Sequence, residues 1–117
     1  MGSNIYKSKG GESNVFYLTY KTTKENEKIS LISNKDYGYY DIHGKWIDCK
    51  SFYSINKSLI LITIDSSINI TTNEYTFKSI GEHKVKIKLN GNINNLGGMF
   101  YGCNNLIKIE GVISNNI

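Results

Sequence analysis

The chain has 117 residues, 39% hydrophobic and 21% charged, which suits one compact domain with enough core to need no metal or disulfide staple. No apolar run approaches the ~20 residues of a membrane-spanning helix, the longest covering residues 59–64. The net charge of +4 comes from 14 lysines spread without a run and no arginine; lacking the guanidinium best suited to bidentate phosphate or guanine contacts, the chain is not expected to bind nucleic acid specifically.

Ala, the best helix former, is absent and Leu occurs only seven times, whereas Ile, Val, Thr, Tyr, Phe and Trp total 42. Such residues fit a pleated surface, so the expected class is mainly β. Residues 1–13 are polar and glycine-bearing, lack the apolar stretch of a signal peptide, and are expected to form a flexible N-terminal segment. Strands are expected at 14–21 and at 27–33, where Ile29 and Leu31 alternate with Lys28 and Ser30; the polar KTTKENE between them predicts a hairpin. Residues 37–42 and 45–49 predict a second hairpin around His43-Gly44. SLILITI, residues 58–64, is the most apolar run and reads as a central strand. Residues 73–78 place Tyr75 and Phe77 on one face, and residues 79–82 turn the chain into 83–89. There Val85, Ile87 and Leu89 alternate with Lys84, Lys86 and Lys88, which defines an inner and a water face of an antiparallel sheet.

After Leu89 the period changes. NGNINN breaks the alternation, and in LGGMFYGCNNLIKIEG the residues Leu96, Met99 or Phe100, Cys103, Leu106 and Ile109 recur about every third position. That spacing predicts a tightly wound turn over 96–101, then a short strand at 106–109, with a boundary near 90–95. Phe100-Tyr101-Gly102-Cys103-Asn104-Asn105-Leu106, followed by Ile109, resembles the core of the BspA-like leucine-rich repeats in surface proteins of bacteria and anaerobic protists. The resemblance implies that Leu96, Phe100, Cys103, Leu106 and Ile109 fill inward positions of a partial repeat or capping turn. Residues 91–117 would form that turn, packed on a β domain of residues 14–90. Tyr75-x-Phe77 and Gly81-x-His83-x-Val85-x-Ile87 resemble the last strands of immunoglobulin-like or PKD-like sandwiches. The expected architecture is therefore an antiparallel immunoglobulin-like sandwich ending in a leucine-rich-repeat-like turn. The family's setting implies a cell-surface or extracellular place and a protein partner, and the open end of a lone repeat implies oligomerisation.

Catalysis needs a nucleophile or base held against a second group. The densest cluster is Asp41, His43, Asp48 and Cys49, which reads as polar residues beside a turn, so neither an enzyme nor a cofactor is expected. Cys49 and Cys103 have neither CxxC spacing nor histidines set as zinc ligands, and Cys103 is expected to be a buried, unbonded thiol. Tyr37, Tyr39, Tyr40, Trp46, Phe52 and Tyr53 fall within one short stretch and have two readings: an aromatic platform for a sugar or a partner chain, or a wall of the core. Alternation sends Tyr37 and Tyr39 to one side and Tyr40 to the other, so core packing is expected for about half of the cluster. The expected function is a non-catalytic protein-interaction or adhesion domain. Its alternative is a carbohydrate-binding module using Tyr37, Tyr39, Tyr40 and Trp46.

Overall fold

A computed structural model describes residues 14–91, 93 and 96–112. The expected flexible segment, residues 1–13, lies outside them. The chain runs β1 (Asn14–Thr22), β2 (Glu27–Ser30), β3 (Tyr37–Tyr40), β4 (Trp46–Cys49), α1 (Phe52–Asn56), a 3-10 turn (Lys57–Leu59), β5 (Ile60–Ile64), β6 (Ile68–Ile70), β7 (Glu74–Phe77), β8 (Gly81–Leu89) and β9 (Leu106–Val112). The fold is mainly β, as the composition requires, and every ladder among the described residues is antiparallel.

Five strands form the main sheet in the order β6-β5-β8-β1-β9, with two two-stranded pairs, β2-β7 and β3-β4, beside it. Opposed residues share a face. Phe16, Leu18 and Tyr20 stand opposite Ile87, Val85 and His83, and Ile62 and Ile64 lie on the other flank of β8. These inner-face side chains are all buried, and the apolar ones join Ile29, Leu31, Ile32, Phe52, Phe77, Ile93 and Met99 in one core cluster. The water face of β8 carries Lys84 and Lys86 in the open and Lys88 half-buried, as the alternation of 83–89 predicts. The layer over the sheet is thus the β2-β7 pair, α1 and a run of turns.

Two expected neighbours are not partners. β1 and β2 do not form a hairpin: β1 pairs along its whole length with β8, and β2 pairs with β7. A nine-residue strand apolar along its inner face gains more from an equally long neighbour than from the four residues of β2. The polar turn between β1 and β2 does form, with the Glu27 carboxylate accepting from the Thr23 and Lys24 amides at 2.8 and 3.3 Å, but it carries the chain into the second layer. The chain returns to the sheet at Gly81, the ladder partner of Thr22, and the Thr22 hydroxyl donates to the Ser79 carbonyl at 2.9 Å. The two crossings are pinned to each other.

The run at 58–64 enters the sheet only from Ile60; it is an interior strand, flanked by β6 and β8, with Ile62 and Ile64 buried in the core, while β8 holds the middle of the order. Two short elements carry no sequence signal of their own length. In α1 the Ser51 hydroxyl caps the Ser54 amide at 3.0 Å while Phe52 is buried, and β6 folds back on β5 through Asp65 and Ser66 at positive φ.

From Leu96 the three-residue spacing becomes successive tight turns. Met99, Tyr101 and Cys103 amides bond the carbonyls three residues back, of Leu96, Gly98 and Phe100, at 3.0–3.1 Å. Met99 and Cys103 are buried, and Leu96, Phe100 and Leu106 pack half-buried against the core. Residues 106–112 then depart from the expected arrangement. Instead of a coil resting on a domain of residues 14–90, they are the edge strand of that domain's own sheet, hydrogen-bonded to β1. Ile109 is consequently not an inward repeat position: it stands opposite Leu18 on the sheet's inner side, yet the second layer does not reach the edge and leaves it 52% exposed. The Asn105 side-chain amide holds the entry to β9 by donating to the Lys21 carbonyl and the Glu27 carboxylate at 2.9 and 3.2 Å.

Candidate binding surface

The β3-β4 hairpin is built by its turn. The Asp41 carboxylate accepts the His43 and Lys45 amides at 2.8 and 2.9 Å, and Gly44 supplies the positive φ of 79° that closes the loop. The register that follows sets Tyr40 opposite Trp46, Tyr39 opposite Ile47, Gly38 opposite Asp48 and Tyr37 opposite Cys49. Asp41 is therefore committed to the turn and His43 is exposed beside it, while Cys49 lies at the far end of the ladder. The three do not converge. Among the described residues no group of three or more His, Cys, Asp or Glu side chains is placed to hold a metal.

Tyr40, Trp46, Gly38 and Asp48 share one face. The Trp46 indole lies diagonally across Gly38, where an added Cβ would run into the ring, and its Nε1 donates to the Asp48 carboxylate at 2.6 Å. Tyr40 meets the indole edge-on, ring centres 4.9 Å apart. Opposite, Tyr37 docks the hairpin onto the C-terminal turns: its ring lies against Gly98, whose φ is +72°, and 6.3 Å from the ring of Tyr101. Partial burial, with a further contribution from the neighbouring Cys49, raises the Tyr37 phenol above its ordinary pKa. The base of the hairpin is fixed by Asp36, which accepts the Ser51 amide at 2.8 Å and pairs with Lys50 at 3.7 Å. Between these groups lies an open hollow of about 410 Å³ lined by Asp36, Tyr37, Gly38, Trp46, Asp48 and Tyr101.

Core packing, expected for half of the aromatic cluster, holds for only part of it. Phe52 is in the core and Tyr53 leans on it, but Tyr39, Tyr40 and Trp46 are 53%, 70% and 48% exposed and Tyr37 is half-buried at the hairpin base. Neither face of the hairpin contributes a side chain to the core cluster, because among the described residues the hairpin pairs only with itself and stands outside the five-stranded sheet. Tyr101 and Asp36 complete the hollow and were not legible as site residues; Tyr101 is brought to Tyr37 by the turns after residue 96, a contact that no local pattern announces.

A larger hollow, about 680 Å³, lies on the water face of the main sheet, with Tyr17, Thr63, Lys84, Lys86 and Glu110 around it. Its floor is closed by Lys84, which reaches over the sheet to donate to the Thr19 hydroxyl at 2.9 Å. His83 faces the other way, into the core, stacked on Phe77 with ring centres 4.0 Å apart and its Nε2 2.8 Å from the Thr22 hydroxyl. No family model, no curated protein and no solved structure matches the chain. The likeness of residues 100–109 to the BspA-like repeats therefore rests on those residues alone.

Proposed function

We propose that this chain is a non-catalytic interaction or adhesion domain that engages a protein partner through the β3-β4 hairpin. One observation carries the reading: a hairpin bearing Tyr37, Tyr39, Tyr40 and Trp46 gives no side chain to the core and leaves three of these rings about half exposed or more. Large rigid aromatics supply contact area at low entropic cost and dominate binding energies where they are buried by a partner. The adjoining Ile42, 95% exposed at the hairpin tip, extends the same apolar surface. The likeness of residues 100–109 to repeats of surface proteins supports a place at a cell surface.

A second reading, a carbohydrate-binding module, is favoured by one arrangement. The indole of Trp46, seated on Gly38 and tied to Asp48, presents a ring beside two carboxylates at the rim of one hollow, the pairing of stacking surface and acceptors that a sugar ring uses. The readings separate in a paired screen of the full chain and its Trp46→Ala and Tyr40→Ala variants on an array of purified extracellular proteins and on a glycan array. Protein binding lost in both variants, at unchanged denaturation midpoint, is the expected result. Glycan binding lost in Trp46→Ala supports the second reading, and binding that survives both substitutions removes the hairpin from either.

A further inference from the structure

The two edges of the main sheet differ. β6 ends one side with three residues, whereas β9 ends the other with seven, and its ladder to β1 is regular from Lys108 to Val112 after a single irregularity near Leu106. Long edges are ordinarily guarded by charges on the inner face, by proline or by bulges, because unpaired strand amides and carbonyls template a further strand. β9 has neither proline nor an inner-face charge; its one bulge-like irregularity lies at the Leu106 end, outside the regular stretch 108–112, and its edge lysine, Lys108, is offset by Glu110 two residues on. Its inner-side residues beyond the irregularity are Ile109 and Gly111, and its charges, Lys108 and Glu110, both lie on the water face opposite Thr19 and Tyr17. Ile107 and Ile109 are 51% and 52% exposed.

We propose that β9 pairs edge to edge with β9 of a second copy of this chain, antiparallel about a two-fold axis at Ile109, joining two five-stranded sheets into one. Charge selects both the occupant and the register. In a two-fold antiparallel pair perpendicular to the sheet, one residue must stand opposite its own copy, and opposed residues share a face. Centring on Lys108 or on Glu110 sets like charges against each other. Centring on Ile109 sets each Lys108 against Glu110 of the other copy, twice by symmetry, and brings the two exposed Ile109 side chains together on the inner side. Within one chain Lys108 and Glu110 already lie 3.6 Å apart with more than half of each side chain in solvent, so both are free to exchange partners across the strands. The axis closes the assembly at two copies, leaving, among the described strands of the main sheet, the short β6 edges outside.

Sedimentation equilibrium of the full chain tests this, with charge reversals that invert the complementarity. The wild type is expected to show a concentration-dependent species of twice the 13.3 kDa chain mass. Lys108→Glu alone and Glu110→Lys alone each turn two attractive contacts into two repulsive ones and should weaken dimerisation about tenfold or more. The two single variants mixed should form a one-to-one heterodimer, since each like-charged β9 then faces its opposite. The double variant, Lys108→Glu with Glu110→Lys, should dimerise as the wild type does, which separates lost complementarity from lost folding. A wild type that stays monomeric throughout, single reversals that dimerise undiminished, or a mixture that fails to associate would each overturn the proposal.

Discussion

Replacing Tyr20 by Phe removes one oxygen from the centre of the molecule and little else. The ring is fully buried on β1, and its hydroxyl donates at 2.6 Å to the carbonyl of Leu31, itself fully buried, in the strip of chain that follows β2. The amide of Leu31 is occupied by the Asn73 carbonyl at 2.8 Å, so the Tyr20 hydroxyl is a tie between the sheet and the layer covering it. Loss of a buried hydrogen bond that strands its acceptor costs about 1–3 kcal/mol, a substantial part of the ~5–15 kcal/mol that holds a domain together. The pH dependence adds a second, independent signature. Burial, and secondarily the neighbouring Cys103, hold the phenol pKa well above its ordinary 10.0. A group whose folded pKa is raised contributes stability that is present below the unfolded value and lost as pH rises through the folded one. Above pH 10 the unfolded chain therefore releases this proton while the folded chain retains it, and the wild type loses stability with rising pH on this account. Tyr20→Phe has no such proton, and the remaining tyrosines are common to both proteins. In urea denaturation the gap between wild type and variant should accordingly narrow as pH rises from neutral past the ordinary tyrosine value. A cost below about 0.5 kcal/mol, or a gap that does not move with pH, would refute the buried tie.

Two further outcomes are expected. Met99→Ala should destabilise the chain by about 2–5 kcal/mol and Phe100→Ala by clearly less, because Met99 is buried while Phe100 only leans on the core; equilibrium unfolding decides, and the reverse order would mean that the turns after residue 96 are seated differently. In native thiol labelling followed by mass spectrometry, Cys49 should react before Cys103, whose thiol is buried and pushed upward in pKa by that burial against smaller opposing effects of the Ser30 hydroxyl and the Lys35 charge. Equal rates, or a native mass lower by two hydrogens, would contradict two free thiols in unequal surroundings.

Local periodicity decides which way a side chain points. The strict alternation of 83–89, the Asp41 to Lys45 turn and the apolar run ending at Ile64 could all be read as strands and faces from sequence, because strand alternation is a property of adjacent residues. Nothing local decides which strand lies beside which. β1 and β2 adjoin along the chain with a well-made turn, yet they part, because the long inner face of β1 is matched by β8 and the return at Gly81 is pinned to Thr22. Residues 106–109 likewise could be read as a strand, but only the tertiary structure makes it an edge of the same sheet and so turns Ile109 from a core position into an exposed one. The aromatic cluster marks the limit. Spacing correctly divided Tyr37 and Tyr39 from Tyr40, but whether either side met the core depended on the hairpin pairing only with itself, which long-range packing alone determines. Composition and alternation thus set the class and the facing of side chains in this protein, while the exposure of Ile109 was set by its place on the sheet edge and that of Trp46 by the hairpin standing outside the main sheet.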